Sequence, residues 1–343
     1  MHGGELRVLE VFGGPRDIGT AHGEVCAAMI QRYLADRLQL AGQSRWSGRG
    51  ADLDFILTTA EDSLQAHQRY APGLYEEMTA MAAAAGISAA EAVVIGGFTD
   101  LIDVLRSVAG SAPTEDDCTA VISPRGGYLA QTWDMHASAG EYVLLLKIDP
   151  LAGPNLVVQT TAGCLGQMGM NEAGIAVGIN NLTSMGRNGV TWPFVVRKVL
   201  EQTLLDDAIE VVLEAELAGG HNFLVMGPDG EGANIEAMPG HKEVTRVTRD
   251  PYVHTNHCLN PTTVSEEGAR LDESIASSDL RLKLGSEMAD DLDSFFADPA
   301  ISRRATSPED IATCGAVVME PASRQMRAVW GVPGEHQWET FQL

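Results

Sequence analysis

Between residues 109 and 117 the chain changes character, and this change limits what it can fold into more than any other feature. The run Ala109-Gly110-Ser111-Ala112-Pro113-Thr114-Glu115-Asp116-Asp117 is small, turn-forming and acidic, the composition of an exposed linker. Before it, a short strand over residues 6–12 is followed by apolar residues at helical spacing over 18–40, 52–70, 72–85 and 88–105. Gly19 and Gly23 keep one side of the first helix small, so a neighbouring helix can approach closely. Ser88 and Glu91 form a capping-box pattern at the last one. After the linker, strands are predicted over 118–123, 128–133, 142–148, 156–160, 175–179, 222–226, 233–237, 243–247, 316–320 and 325–330. Helices interrupt them at 194–217 and 270–284. A helical head followed by antiparallel-looking strands predicts an α+β fold, with sheets packed on each other and helices outside, not a doubly wound parallel sheet. The expected division is a helical N-terminal segment, 1–117, and a core, 118–343, together forming one domain.

A chain of 343 residues with 45% apolar residues can bury a sizeable core. Its formal net charge of −24 repels a nucleic acid or an anionic membrane, so neither is expected as a partner, and a neutral or cationic small molecule fits better. No apolar run reaches the roughly 18 residues of a membrane span, and the N-terminus lacks a basic region followed by an apolar one. The expectation is a soluble, cytoplasmic protein. Its five cysteines are scattered without CxxC pairs, which reads as free thiols with no metal and no cofactor.

Cys118 opens a strand directly behind the acidic linker. A cysteine there is most often a packing residue, but a thiol at a linker–strand junction can also attack the carbonyl before it. The peptide bond becomes a thioester, water hydrolyses it, and Cys118 becomes a chain terminus. Its α-amine, with a pKa near 8, can then take the thiol proton without a histidine. Asp134 ends the second strand of the same hairpin, within reach of that amine, or it simply caps a loop toward His136. In the stretch Tyr252-Val253-His254-Thr255-Asn256-His257-Cys258, the Asn256 amide can donate to an oxyanion. A rival reading makes His254, His257 and Cys258 zinc ligands. Met170-Asn171-Glu172-Ala173-Gly174 reads as a hairpin turn with Asn180 at the far end of its second strand.

Taken in order, the Asp117-Cys118-Thr119 junction, Ala130-Gln131-Thr132-Trp133-Asp134, Gly169-Met170-Asn171-Glu172-Ala173-Gly174, His254-Thr255-Asn256-His257 and the ending Trp330-Gly331-Val332-Pro333-Gly334 resemble the acyl-coenzyme A:6-aminopenicillanic acid acyltransferase family of cysteine N-terminal-nucleophile enzymes. The resemblance implies an αββα sandwich, self-cleavage between Asp117 and Cys118 with the fragments remaining associated, and chemistry on amide or thioester bonds. It implies Cys118 as nucleophile, Asp134 as partner of its amine and Asn256 as oxyanion donor. The more distant bile-salt hydrolases and penicillin V acylases add Asn180 as an oxyanion contributor, and Arg281 from Ser278-Asp279-Leu280-Arg281. Three positions depart from the pattern. Asp117 replaces the usual glycine, Ala120 replaces a threonine, and Gln131, a candidate substrate-binding residue, stands where bile-salt hydrolases carry an arginine, which points away from anionic substrates. The expected function is an amidohydrolase acting on a small-molecule amide. The alternatives are an acyltransferase using a small acyl donor, or an uncut binding homologue. Homo-oligomer formation stays open.

Overall fold

Pro15 at the first turn of a helix and Asp52 accepting the Phe55 N–H are start signals that the chain uses as written. The computed structural model describes residues 6–48, 50–109, 118–308 and 310–343. Asp117 and the rest of the linker after Ala109 lie outside the described residues. Strand β1 (Val8–Gly13) turns at Gly13 into helices α1 (Pro15–Ala41), α2 (Ser44–Ser47), α3 (Leu53–Tyr70), α4 (Pro72–Ala85), α5 (Ala89–Gly96) and α6 (Phe98–Ala109). The helix expected over 88–105 is therefore two. The break falls at Gly97, where a methyl group would collide with Thr191, so the chain bends where a close approach demands glycine.

Strands β2 (Thr119–Ser123) to β7 follow: β3 (Tyr128–His136), β4 (Val143–Pro150), β5 (Leu156–Thr161), β6 (Met168–Asn171) and β7 (Ala176–Leu182). Next come α7 (Trp192–Val199) and α8 (Leu205–Glu214), two helices where one was expected over 194–217. Then come β8 (Gly220–Met226), β9 (Gly232–Ala237), β10 (Lys242–Val247) and β11 (Tyr252–His254). The chain ends with α9 (Pro261–Val264), α10 (Asp272–Glu287), α11 (Leu292–Ala297), β12 (Ile311–Glu320), β13 (Gln325–Trp330) and β14 (Glu339–Gln342).

Among the described residues these strands form an eight-stranded sheet, in the order β1-β4-β5-β6-β7-β8-β9-β10, and a six-stranded one, β11-β2-β3-β12-β13-β14. Pairing is antiparallel except that β1 runs parallel to β4, which no hairpin constrains across the intervening helices. Strand alternation divides the six-stranded sheet. Leu129, Trp133 and Met135 of β3 enter the core shared with the eight-stranded sheet, while Ala130 joins Phe295 and Phe296 of α11 on the other face. Helices α7 and α8 pack on β7, β8 and β9, and α10 packs on β2 and β11. The result is the α+β, helix–sheet–sheet–helix layering.

Polar bonds buried in the interior tie the helical head to the strands. Glu77 of α4 and Arg197 of α7 form a two-pronged ion pair at 2.7 and 3.0 Å. The Gly163 N–H donates to His22 (3.1 Å), and Asp103 of α6 accepts the backbone N–H and hydroxyl of Ser184 (3.1 and 2.8 Å). Gly19 and Gly23 sit where α1 meets α4, and a methyl group on either would drive into the backbone of Glu77 or Met81. No single helix among the described residues is long and apolar enough to cross a membrane.

Candidate active site

The β2–β3 hairpin pairs Thr119 with Thr132. The start of one strand thereby lies beside the end of the other, as hairpin geometry requires. Cys118 sits at that start, nearly buried, with its Sγ 3.9 Å from the backbone carbonyl of Asp134. Its backbone N–H donates to Asn256 Oδ1 at 2.8 Å. Its carbonyl accepts Asn180 Nδ2 (3.2 Å) and Arg281 Nη1 (2.7 Å).

Four of the residues predicted from sequence are thus directly bonded together. Asn180 reaches in from β7 of the other sheet, with Asn222 of β8 donating to its oxygen at 3.4 Å. Arg281, wholly buried on α10, also donates to Thr119 Oγ1 (3.0 Å) and to Asn256 Oδ1 (3.2 Å). Two donors converging on one Asn256 oxygen fix which way its amide points, since the NH₂ end has nothing to accept with. That end donates to the Asn181 carbonyl at 3.1 Å. In this state Asn256 therefore holds the Cys118 nitrogen, and its own donor is occupied.

Asp134 is completely buried, and its side chain faces Thr313, whose hydroxyl donates to Oδ1 at 2.7 Å. Oδ2 has no partner among the described residues. Burial raises this carboxyl to about 7, against the opposing pull of the Thr313 hydroxyl and the Arg281 charge. Thr313 precedes a register shift in the β12–β3 pairing, and such an irregularity re-aims a side chain. Nothing in the residue pattern around Thr313 announces this.

The loop carrying Asn256 is clamped from two sides. Ser278 Oγ, one turn before Arg281 on α10, accepts the Asn256 backbone N–H at 3.0 Å, so Ser278 holds the loop's backbone while Arg281 holds its side chain. On the other side, Glu236 of β9 accepts Leu259 N–H (2.7 Å), Asn260 N–H (3.1 Å) and the Thr263 hydroxyl, and bonds His254 Nε2 (3.1 Å). Burial pushes the Glu236 carboxyl up, but the bonds from His254 and Thr263 outweigh it and hold it below its ordinary value. His254 Nδ1 meets the Thr255 carbonyl at 2.8 Å, so both of its nitrogens are engaged within the fold. No group of three or more metal-ligating side chains lies among the described residues. Sequence reading did not single out Glu236, Thr313 or Asn222.

Gln131 is a correction. It is wholly buried, its Oε1 accepts Ile179 N–H at 2.7 Å, and its Nε2 donates to the Ile179 carbonyl. Both ends of the amide are used to join the two sheets.

A family model described as acyl-coenzyme A:6-aminopenicillanic acid acyl-transferase matches residues 121–332. The match begins just after Cys118 and spans Asp134, Asn180, Asn256 and Arg281. The 40 kDa form of an acyl-coenzyme A:6-aminopenicillanic-acid-acyltransferase from Emericella nidulans is 28% identical over 253 residues, 72% of this chain and 68% of that one. Among solved structures, a mutant of conjugated bile acid hydrolase from Clostridium perfringens aligns with a TM-score of 0.46 at 11% identity. That alignment covers 66% of this chain and 92% of that one. Penicillin V acylase from Agrobacterium tumefaciens aligns with a TM-score of 0.40 at 12% identity, covering 66% and 86%.

Proposed function

Because the chain belongs to the acyl-coenzyme A:6-aminopenicillanic acid acyl-transferase family, and is thereby an enzyme of acyl chemistry, we propose that it cuts itself before Cys118 and then hydrolyses the amide bond of a small N-acyl compound through a Cys118 thioester. The observation that carries this reading is the set of bonds around Cys118. Its nitrogen is held by Asn256 Oδ1, its carbonyl by Asn180 and Arg281, and an unused Asp134 carboxylate oxygen lies buried on the neighbouring strand.

In the cutting step Sγ attacks the Asp117 carbonyl carbon, the C–N bond breaks, and the Cys118 nitrogen leaves as an amine. Water then hydrolyses the thioester, giving the Asp117 carboxylate and a free thiol. The new amine has more protons than the amide it replaces. One stays on Asn256 Oδ1, and the free Asp134 oxygen is the acceptor for another. In turnover the amine takes the thiol proton, the thiolate attacks the substrate carbonyl, and the departing amine leaves with that proton. The oxyanion donors expected from sequence are Asn256 and Asn180. Their NH₂ groups are bonded to backbone carbonyls in the uncut chain, so this role requires the amides to re-pair once Cys118 is a terminus.

A second reading is favoured by the Emericella nidulans relative, which is an acyltransferase. Here the thioester is resolved by an amine acceptor instead of water. Both readings share acylation, so one experiment separates them. Intact mass on denatured protein should give two fragments meeting at Asp117 and Cys118. The cut protein, given an N-acyl substrate, should release free acid, and an added amine should divert it into a new amide only under the transferase reading. A chain that stays whole after prolonged incubation removes self-cleavage as the activating step.

A further inference from the structure

Thr313, which holds the Asp134 carboxylate, is itself locked in place. It is buried, and it binds one residue, Arg303, reciprocally: the Thr313 N–H donates to the Arg303 carbonyl at 3.0 Å, and the Arg303 N–H donates to Thr313 Oγ1 at 2.9 Å. The Thr313 hydroxyl has one proton to give. Two acceptors lie near it, Asp134 Oδ1 at 2.7 Å and the Ile301 carbonyl at 3.4 Å. An O–H···O bond is roughly 2.5–3.0 Å long, so the proton goes to Asp134.

Three titratable or charged groups face Asp134 from the elements around it. Arg281 of α10 supplies a positive charge, and Cys118 lies beside the Asp134 backbone. Cys314 of β12 is the third: Thr313 pairs with Asp134 and Gly315 with Trp133, which leaves Cys314 as the extra residue of a bulge. Burial and the Asp134 charge push the Cys314 thiol up to about 12, so it stays neutral. The carboxylate is left with one oxygen tied by Thr313 and one, Oδ2, with no partner among the described residues. A proton added to Asp134 goes to Oδ2, because Oδ1 already receives the Thr313 proton. Protonated Asp134 then presents a donor where the freed Cys118 amine needs an acceptor.

We propose that Thr313 is a positioning residue for the activation of Cys118: its hydroxyl holds Asp134 Oδ1, favours the charged carboxylate and keeps Oδ2 open for the amine. This rests on Cys118 being the freed nucleophile. A hydrogen bond given to the charged form of an acid stabilises that form. Burial is the larger influence and raises Asp134 to about 7, while the Thr313 hydroxyl, the Arg281 charge and the Thr132 hydroxyl pull the other way, strongest first. Losing the Thr313 hydroxyl therefore moves the Asp134 titration to higher pH. Arg281 also bonds Cys118, Thr119 and Asn256. Thr313 hydrogen-bonds none of these among the described residues, so its substitution acts on the site through Asp134.

The test follows alkylation of Cys118 by iodoacetamide in the cut protein, read by peptide mass from about pH 5 to 9. It needs no substrate. Thr313→Val keeps the shape of the side chain and removes the hydroxyl. The acid limb of the rate profile should move up by about one pH unit, which is about a tenfold slower reaction at a fixed pH on that limb. Thr313→Ser should return it to the wild-type position. A structural role would slow the reaction equally at every pH and leave the limb where it is, which overturns the proposal, as does a serine variant displaced as far as the valine one. If Thr313→Val does not fold, Thr313→Cys, whose thiol is a weak donor, should move the limb in the same direction, and an unmoved limb overturns the proposal. If the wild-type protein stays uncut, the proposed function has failed. Melting against pH then decides on Thr313 alone, as it does if the thiol resists the reagent. The stability difference between wild type and Asp134→Asn should level off near pH 7. The same difference measured between Thr313→Val and the double variant should level off about one pH unit higher. That displacement supports the hold on Asp134, and two differences levelling off together overturn it.

Discussion

Replacing Asn256 by alanine separates the part of the site that orients from the part that reacts. The substitution removes three hydrogen bonds at once: the Cys118 N–H (2.8 Å) and Arg281 Nη2 (3.2 Å) lose their acceptor, and the Asn181 carbonyl loses its donor (3.1 Å). A buried polar group left unsatisfied costs about 1–3 kcal/mol, and a water filling the small hole recovers part of that. The expected loss of stability is about 2–5 kcal/mol. Arg281 keeps its bonds to Cys118 and Thr119, so the fold should survive. For chemistry, the Cys118 nitrogen loses the atom that aims it. Misplacement of a reacting group by about 1 Å costs ~100-fold, or about 2.7 kcal/mol. Single-turnover acylation of the cut protein and thermal unfolding measure the two effects separately. Asn256→Asp is the companion variant. It keeps an acceptor for Cys118 and Arg281 but sets an oxygen against the Asn181 carbonyl, so it should lie between wild type and alanine in acylation rate. If Asn256→Ala acylates at the wild-type rate, the hold on the Cys118 nitrogen is structural and the reasoning is refuted.

Cys118→Ala should give one uncut chain without turnover, and Cys118→Ser, a poorer nucleophile, a slowly cut one. Normal processing of the alanine protein by intact mass would show that another group does the cutting. Asp134 is raised to about 7 in the fold against about 3.9 unfolded. Its contribution to stability is therefore fully present below about pH 4 and is lost as pH rises through 7. Wild type should lose stability relative to Asp134→Asn between about pH 4 and 7, on the order of a few kcal/mol. Asp103, also raised to about 7 by burial, is common to both proteins and cancels, so parallel melting curves would refute the assignment. Gly19→Ala should destabilise by about 1–3 kcal/mol in denaturant melts, because the added methyl meets the Glu77 backbone across the α1–α4 contact.

The helical head, the strands behind the linker and the pairing of Cys118 with the end of β3 were legible because each rests on local pattern: periodicity, capping and a tight turn. Gly19 and Gly23 show that even a helix–helix contact can be read ahead when two small residues share a helix face. The division of 88–105 and 194–217 into pairs of helices was not legible. Gly97 is one glycine in an apolar stretch, and only the approach of Thr191 makes it a break. Side-chain direction was the larger gap. Hairpin geometry brings the Asp134 backbone beside Cys118, but its carboxylate is taken by the Thr313 hydroxyl, next to a register shift in β12, far along the chain. Gln131 fails for the same reason: Ile179, which takes both ends of its amide, belongs to the other sheet.

How the site is held decides which groups titrate during turnover. Asp134 and Asn180 stand on strands of the two sheets and Cys118 immediately before β2, while Asn256 rides on a loop. That loop is fastened by Glu236, which its hydrogen bonds hold below the ordinary carboxylate range, and so it stays ionised above about pH 5. Its neighbour His257 is lowered to about 4 by burial and by the nearby charges of His254 and Arg270, and is neutral over the same range. Neither Glu236 nor His257 therefore changes charge between about pH 5 and 8. Asp134, rising to its charged form near 7, and the new amine, losing its proton near 8, do change over that range. Activity should climb through the first of these titrations and hold its plateau only once the amine is free to take the thiol proton. A pH profile set by Asp134 would lose its lower limb in Asp134→Asn and keep it in Glu236→Gln, whose effect is to loosen the loop at every pH alike.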